Sequence, residues 1–341
     1  MLLFALVFLI TALITGTVRT LLVRHGVMDL PNARSSHAVP VPRGGGVGIV
    51  VVFLSAVIWI LRSHGIPRGL GWALAGGGLA IGIVGFLDDR FKLAQWPRLM
   101  IHCLAAAWAL WCLNATHPLQ FSGGTPGFWV GRAVALVGLV WLTNLFNFMD
   151  GIDGLAAVEA VCVSAFGALL VANNGLLAEA QVSWLLAAAS LGFLVWNWPP
   201  AKIFMGDAGS GFLGFSLGVL AVFSSKANPK LIWPWLILLA AFFVDATVTL
   251  LRRIVSRARW YESHRDHAYQ HAAQAWGSHA KVTLTFAAIN TIWLLPLACA
   301  ALLYSAAAPV IAAIAVVPLV YLTFRFQGGR ERSSSHAVLQ D

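Results

Sequence analysis

The chain has 341 residues, 59% of them hydrophobic and only 10% charged, with a mean hydropathy of +0.81 and a formal net charge of +9. A soluble globular domain carries about 25% charged residues, so this composition excludes a soluble enzyme and points to a polytopic membrane protein. No alternating ten-residue strands are visible, and backbone groups in hydrocarbon must be satisfied within the spanning element, so the expected fold is an all-α bundle rather than a barrel.

Apolar runs long enough to cross ~30 Å of hydrocarbon fall near 1–23, 44–62, 69–87, 98–113, 128–146, 153–172, 181–198, 208–225, 231–251, 282–304 and 306–324. They predict about 11 transmembrane helices, 10 at the least. The first run has no Lys or Arg before Arg19 and no small-residue cleavage site, so it reads as a retained helix rather than a signal peptide. If the helices alternate, all Lys and Arg residues except Arg62, Arg68, Arg132, Lys226 and Lys230 fall on one side. The positive-inside rule makes that side cytoplasmic, with the N-terminus periplasmic and the C-terminus cytoplasmic. No repeat or long linker divides the chain. Residues 1–325 read as one integral membrane domain with cytoplasmic loops at 24–43, 88–98, 147–152, 199–207 and 252–281, followed by a polar tail over 326–341. Cys103, Cys112, Cys162 and Cys299 stand singly within predicted spans and read as small buried residues.

The acids cluster at predicted helix ends. Asp88 and Asp89 close the third run in Gly85-Phe86-Leu87-Asp88-Asp89-Arg90. Adjacent carboxylates repel, so one can serve as a proton acceptor or both can help hold a divalent cation. Equally, Arg90 and Lys92 can neutralise them as interfacial charges. Next, Asn147-Phe148-Met149-Asp150-Gly151-Ile152-Asp153-Gly154 breaks a helix with two Asp-Gly steps and offers a carboxamide and two carboxylates to one pocket. A plain turn needs neither both acids nor Asn147. Asn197-Trp198-Pro199-Pro200-Ala201-Lys202 then leads to Gly206-Asp207-Ala208-Gly209-Ser210-Gly211, a glycine-rich helix start that can approach a phosphate. A carboxylate this near hydrocarbon marks a metal, a proton or an ionic substrate. Neither this stretch nor Gly44-Gly45-Gly46 ends in Gly-Lys-Ser/Thr, so an ATPase P-loop is excluded.

Asp245 lies within the ninth run, and the loop after it carries Arg252, Arg253, Arg257 and Arg259, read as positive-inside charge. His264-Arg265-Asp266-His267-Ala268-Tyr269-Gln270-His271 follows. Guanidinium and imidazole at Arg265 and His267 suit phosphate oxygens. His264, His267 and His271 have zinc-compatible spacing, but the acidic clusters favour an oxygen-ligated cation such as magnesium. Isolated His64, His102, His117 and His279 receive no functional reading.

These motifs, in this order from about residue 24 to 275, resemble the polyprenyl-phosphate N-acetylhexosamine-1-phosphate transferases of glycosyltransferase family 4, and within them the bacterial WecA and WbpL type. The stretch Asn32-Ala33-Arg34-Ser35-Ser36-His37 to Pro42-Arg43-Gly44-Gly45 fits the same branch. The cell-wall members of the family have three consecutive histidines where this chain reads His267-Ala268-Tyr269-Gln270, which argues against a pentapeptide-bearing substrate. The resemblance implies transfer of an N-acetylhexosamine-1-phosphate from a UDP-sugar to undecaprenyl phosphate, releasing UMP, in a bacterial inner membrane at the start of O-antigen or another envelope glycan. It implies Mg2+, with Mn2+ as a substitute, held by Asp207 and Asn147. By the same carry-over, Asp88 is the candidate base, Asp89 supports metal or diphosphate, Asp150 and Asp153 orient substrate or uridine, Asn197 lies near the nucleotide, and Arg265 and His267 bind diphosphate. The expected partners are the two substrates and the bilayer, with a homodimer open and no nucleic acid. The competing class is an ion-coupled secondary transporter, whose acids lie near the bilayer midplane; only Asp245 suits it.

Overall fold

A computed structural model describes residues 2–29, 39–116, 126–257 and 265–329. The Asn32 to His37 motif, Arg259, His264 and the tail from 330 onward lie outside the described residues. The helices are α1 (Leu2–Arg24), α2 (Gly46–Arg62), α3 (Arg68–Phe91, with a π turn at Ala73–Gly77), α4 (Gln95–Thr116), α5 (Pro126–Phe148), α6 (Leu155–Ala172) and α7 (Leu177–Asn197). They continue with α8 (Asp207–Ala227), α9 (Ile232–Leu238), α10 (Ala240–Val255), α11 (Ala268–Trp276), α12 (His279–Leu303, with a π turn at Ile289–Leu294) and α13 (Ala308–Arg325). Among the described residues no strand forms, only the isolated bridges Asp29 to Val41 and Arg43 to Phe204.

Every predicted apolar run coincides with a helix. Among the described residues nine helices meet the length and hydropathy needed to cross a membrane, the bent pair α9–α10 makes a tenth, and the 17-residue α2 supplies the remaining run. What the apolar pattern did not reveal is the 69° bend between α9 and α10 at Leu239. A break there frees amides of the first turn of α10, which hydrocarbon cannot satisfy. The fully buried Glu159 of α6 accepts a 2.6 Å hydrogen bond from Asn290 Nδ2 in the π turn of α12, while its other oxygen is buried without a partner. One carboxylate thus ties α6 to α12 beside the bend.

The centre of the bundle is α8, almost entirely buried, with α3 and α5 packed against it and α1, α12 and α13 largely exposed at the periphery. Its small residues permit this. A Cβ on Gly46 of α2 would stand 2.4 Å from Gly209 Cα, and a Cβ on Gly85 of α3 would stand 2.5 Å from the Ala208 backbone. Backbones therefore touch around the start of α8, the close approach small residues allow in membranes. The chain ends of α1, α3, α5, α7 and α10 and the starts of α2, α4, α6, α8 and α12 share one face of the bundle. At the opposite face Lys226 donates to the Leu113 carbonyl at 2.6 Å and Asn228 to Asn174 at 3.0 Å.

Gly85→Val should drive a side chain into the α8 backbone, which cannot retreat; a loss of about 1–3 kcal/mol is expected, seen as a lower melting temperature in detergent. Gly138→Ala, where nothing lies within 4 Å of the added atom, should melt no lower than the unaltered chain.

Candidate active site

Asp207 opens α8 at the shared face, and the chain before it is held by residues far away in sequence. Gly44 and Gly45 N–H groups donate to Phe204 O at 3.1 and 2.9 Å, Gly46 N–H to Met205 O at 2.9 Å, and Phe204 N–H to Pro42 O at 2.9 Å. This short parallel pairing fixes Arg43 beside Asp207. The guanidinium donates to Asp207 Oδ1 and, through Nε, to Asp89 Oδ1 at 2.9 Å. Partial burial pulls the Arg43 guanidinium down, but Asp207 and Asp89, with Asp150 and Asp29 behind them, outweigh it and raise it further above its ordinary range. Its positive charge is permanent.

Asp89 caps α8 from another helix. Its carboxylate accepts the Asp207 N–H at 2.9 Å and the Ala208 N–H at 3.2 Å, satisfying two of the free amides at the helix start. Gly206 is required here: its φ is +80°, and a Cβ would lie 2.4 Å from Asp89 Oδ2. Asp88 faces the other way, accepting the Leu93 N–H at 2.7 Å and Arg98 Nη1 at 2.5 Å. The same Arg98 nitrogen lies 3.2 Å from Asp207 Oδ2. The counterions of this cluster are therefore Arg43 and Arg98. Arg90 and Lys92, expected from sequence adjacency, are exposed and form no ion pair among the described residues.

Behind Asp207 a cavity of ≈ 50 Å³ is lined by Arg98, His102, Asn144, Asn147 and Asp207, closed by Val84, Gly85, Thr143, Phe148 and Gly211. Asn147 reaches the Asp207 carboxylate. One helical turn deeper, Asn144 donates through Nδ2 to Val140 O at 2.7 Å, with the His102 imidazole beside it. His102 Nδ1 is buried without a partner. His102 had no role in the sequence reading. Its signal was its position four residues after Arg98, on the same helix face, opposite Asn144 and Asn147 on α5.

The segment 149–154 forms the adjoining wall. Burial pushes the Asp150 carboxyl well above the ordinary carboxylate range; Arg43 opposes this, while Asp207, Asp89 and Asp153 reinforce it. Asp153 accepts the Ala201 N–H at 3.1 Å, and its own N–H and carboxylate lie 3.4 and 3.3 Å from His279 Nδ1. Asn197 accepts the Gly154 N–H at 3.0 Å and donates to Ile203 O at 2.9 Å. Both groups of the Asn197 amide are thus committed to joining the 150–154 turn to the segment before α8. Asp153 performs the same bracing one residue away.

The remaining expected residues stand on α11. Asp245 of α10 accepts the Ala268 and Tyr269 N–H groups, each at 3.0 Å, and the Thr249 hydroxyl at 3.2 Å. That cap seats α11 against the bundle. His267 lies 3.5 Å from Asp245 Oδ1 and stacks between Phe148 and Tyr269, with ring centroids 6.3 and 5.7 Å away. The Tyr269 hydroxyl donates to Phe148 O at 2.9 Å and sits where a Cβ on Gly151 would fall. Burial, then Asp245 and Asp150, push this phenol well above its ordinary range, so it remains a donor. Burial lowers the Arg265 guanidinium, with Tyr269 opposing. Arg253, read as loop charge, is instead buried and bonded to Asp266, which anchors the return of the loop. Asp88, Asp89, Asn147 and Asp207 thus form one cluster, Asp150 neighbours it across Arg43, and Tyr269 links it to His267.

Comparison with known proteins finds a family model and several relatives similar to this chain. The sequence model of glycosyl transferase family 4 matches residues 71–225. The chain is 28% identical over 299 residues to a "Probable undecaprenyl-phosphate N-acetylglucosaminyl 1-phosphate transferase" of Bacillus subtilis, covering 84% of this chain and 81% of that protein. It is 31% identical over 311 residues to a decaprenyl-phosphate N-acetylglucosaminephosphotransferase of Mycolicibacterium smegmatis (81% and 76% covered), and 27% identical over 236 residues to a phospho-N-acetylmuramoyl-pentapeptide-transferase of Lactobacillus gasseri (63% and 70%).

Asp89→Ala should remove the α8 cap and destabilise the protein by about 0.5–2 kcal/mol, with Asp89→Asn milder because one acceptor oxygen remains; thermal melts in detergent read the difference. Asp150 binds a proton in the folded state that the unfolded chain releases above pH ~4. Its contribution to stability therefore falls as pH rises from there through its raised folded value. Asp150→Asn cannot ionise and should flatten that fall in metal-free melts; parallel curves would remove the effect.

Proposed function

The chain belongs to the polyprenyl-phosphate N-acetylhexosamine-1-phosphate transferases, and from that premise we propose that it moves an N-acetylhexosamine-1-phosphate from a UDP-sugar to undecaprenyl phosphate on the cytoplasmic side of a bacterial inner membrane. The observation that carries this reading is the gathering of Asp88, Asp89, Asn147 and Asp207 with Arg43 and Arg98 at helix ends on one face. A water-soluble nucleotide sugar and a lipid phosphate can meet only at such a boundary. The Bacillus and Mycolicibacterium relatives favour an N-acetylglucosamine donor, with GalNAc, FucNAc and QuiNAc as the other candidates. O-antigen initiation is the pathway we assign.

In this reaction a lipid phosphate oxygen attacks the sugar-bearing phosphorus. A new P–O bond forms there, the diphosphate P–O bond to UMP breaks, and one phosphoanhydride replaces another without ATP. Two anions must be brought together, so charge neutralisation is the main demand. Arg43 and Arg98 supply fixed positive charge beside Asp207, and Arg265 and His267 hold the diphosphate from the α11 side. Asp88 takes the proton from the lipid phosphate, while Asp150, Asp153 and Asn197 shape the nucleotide side of the cavity.

The donor set suits magnesium. Among the described residues no group of three His, Cys, Asp or Glu side chains converges on one point, because Asp89 faces amides and Asp88 faces Arg98. A hard cation held by one carboxylate, a carboxamide, waters and substrate phosphates is the usual Mg2+ arrangement, and Asp207 and Asn147 provide those two ligands. When bound, Mg2+ would neutralise the diphosphate oxygens. A transporter reading loses its one candidate, since Asp245 is committed to the α11 cap.

Purified protein incubated with a panel of labelled UDP-sugars and undecaprenyl phosphate should release UMP in the presence of Mg2+. Asp207→Ala should abolish the release while the protein remains inserted, and Arg265→Ala should raise KM for the UDP-sugar. Full activity of Asp207→Ala would remove that carboxylate from the mechanism.

A further inference from the structure

Outside the cavity, at the same face, two cations converge on one indole. Trp196, next to last in α7, lies against α1: its Nε1 donates to Ala12 O at 2.8 Å, and the ring occupies the space a Cβ on Gly16 would need, 2.6 Å from Trp196 Cζ2. The Arg19 guanidinium stands 5.8 Å and the Lys202 ammonium 5.7 Å from the ring centroid. All three residues are tied by backbone groups. The Lys202 N–H donates to Trp196 O at 2.8 Å, and Arg19 Nε donates to Lys202 O at 3.2 Å.

Among the described residues neither cation has a carboxylate partner. Two cations within 6 Å of one ring centroid repel, and the aromatic ring offsets only part of that. An anion between them removes the repulsion. Arg19 lies in the last turns of α1, a helix largely exposed along its length and therefore facing lipid. At that depth the abundant anions are lipid phosphates. We propose that Arg19, Lys202 and Trp196 form a binding site for the phosphate of an anionic glycerophospholipid headgroup. An occupant would brace the segment 198–206, which bonds to Asp153 through Ala201, to Asn197 through Ile203 and to Pro42 through Phe204.

The test is native mass spectrometry of the full chain released from nanodiscs containing equal phosphatidylglycerol and phosphatidylcholine. The unaltered protein should retain phosphatidylglycerol about 10-fold or more over the Arg19→Gln, Lys202→Gln double variant, whereas Arg19→Lys with Lys202→Arg should retain it as the unaltered chain does. Equal retention by the Gln variant, with both variants monodisperse, would overturn the site. Displacement of the lipid by millimolar inorganic phosphate, or by undecaprenyl phosphate in preference to phosphatidylglycerol, would overturn its assignment to a glycerophospholipid.

Discussion

A helix that starts in a low-dielectric interior has amides with nothing to bond, and this molecule answers that constraint twice with a carboxylate from a different helix. Asp89 of α3 closes the start of α8, and Asp245 of α10 closes α11. Each bond joins elements distant in sequence, so each also fixes a tertiary position. The start of α8 carries Asp207, and α11 carries His267 and Tyr269. The walls of the cavity are therefore placed by the same interactions that satisfy the backbone.

Charge balance is the second organising feature. Formally, Asp88, Asp89 and Asp207 face two arginines among the described residues, Arg43 and Arg98, and Asp88 and Asp207 also lie against each other. Arg98 Nη1 bridges Asp88 and Asp207, so whatever draws one carboxylate away also loosens the other. An incoming diphosphate adds negative charge to a cluster already short of cations, which gives a divalent ion a clear electrostatic purpose there.

Much of this was legible in the chain. The apolar runs marked every helix but the short α11, because a bilayer imposes a length and hydropathy that few other constraints mimic. Asp88, Asp89, Asn147 and Asp207 stood out because acids and amides are rare beside such runs. Arg43 and Arg98 did not, since basic residues at that face have a generic topological explanation, and their partners lie 164 and 109 residues away from them at Asp207. Asn197 and Asp153 were read as substrate contacts; in the fold their polar groups join two turns, a role that depends on which loops meet. The bend at Leu239 left no trace in hydropathy, which averages over the break.

Gly46 against Gly209 and Gly85 against Ala208 bring backbone against backbone where α2, α3 and α8 meet. The opposite wall, α10 and α11 beyond the bend, is held by side-chain bridges through Asp245, Tyr269 and Arg253, which can exchange partners. One wall of the cavity is therefore set by shape and the other by polar chemistry.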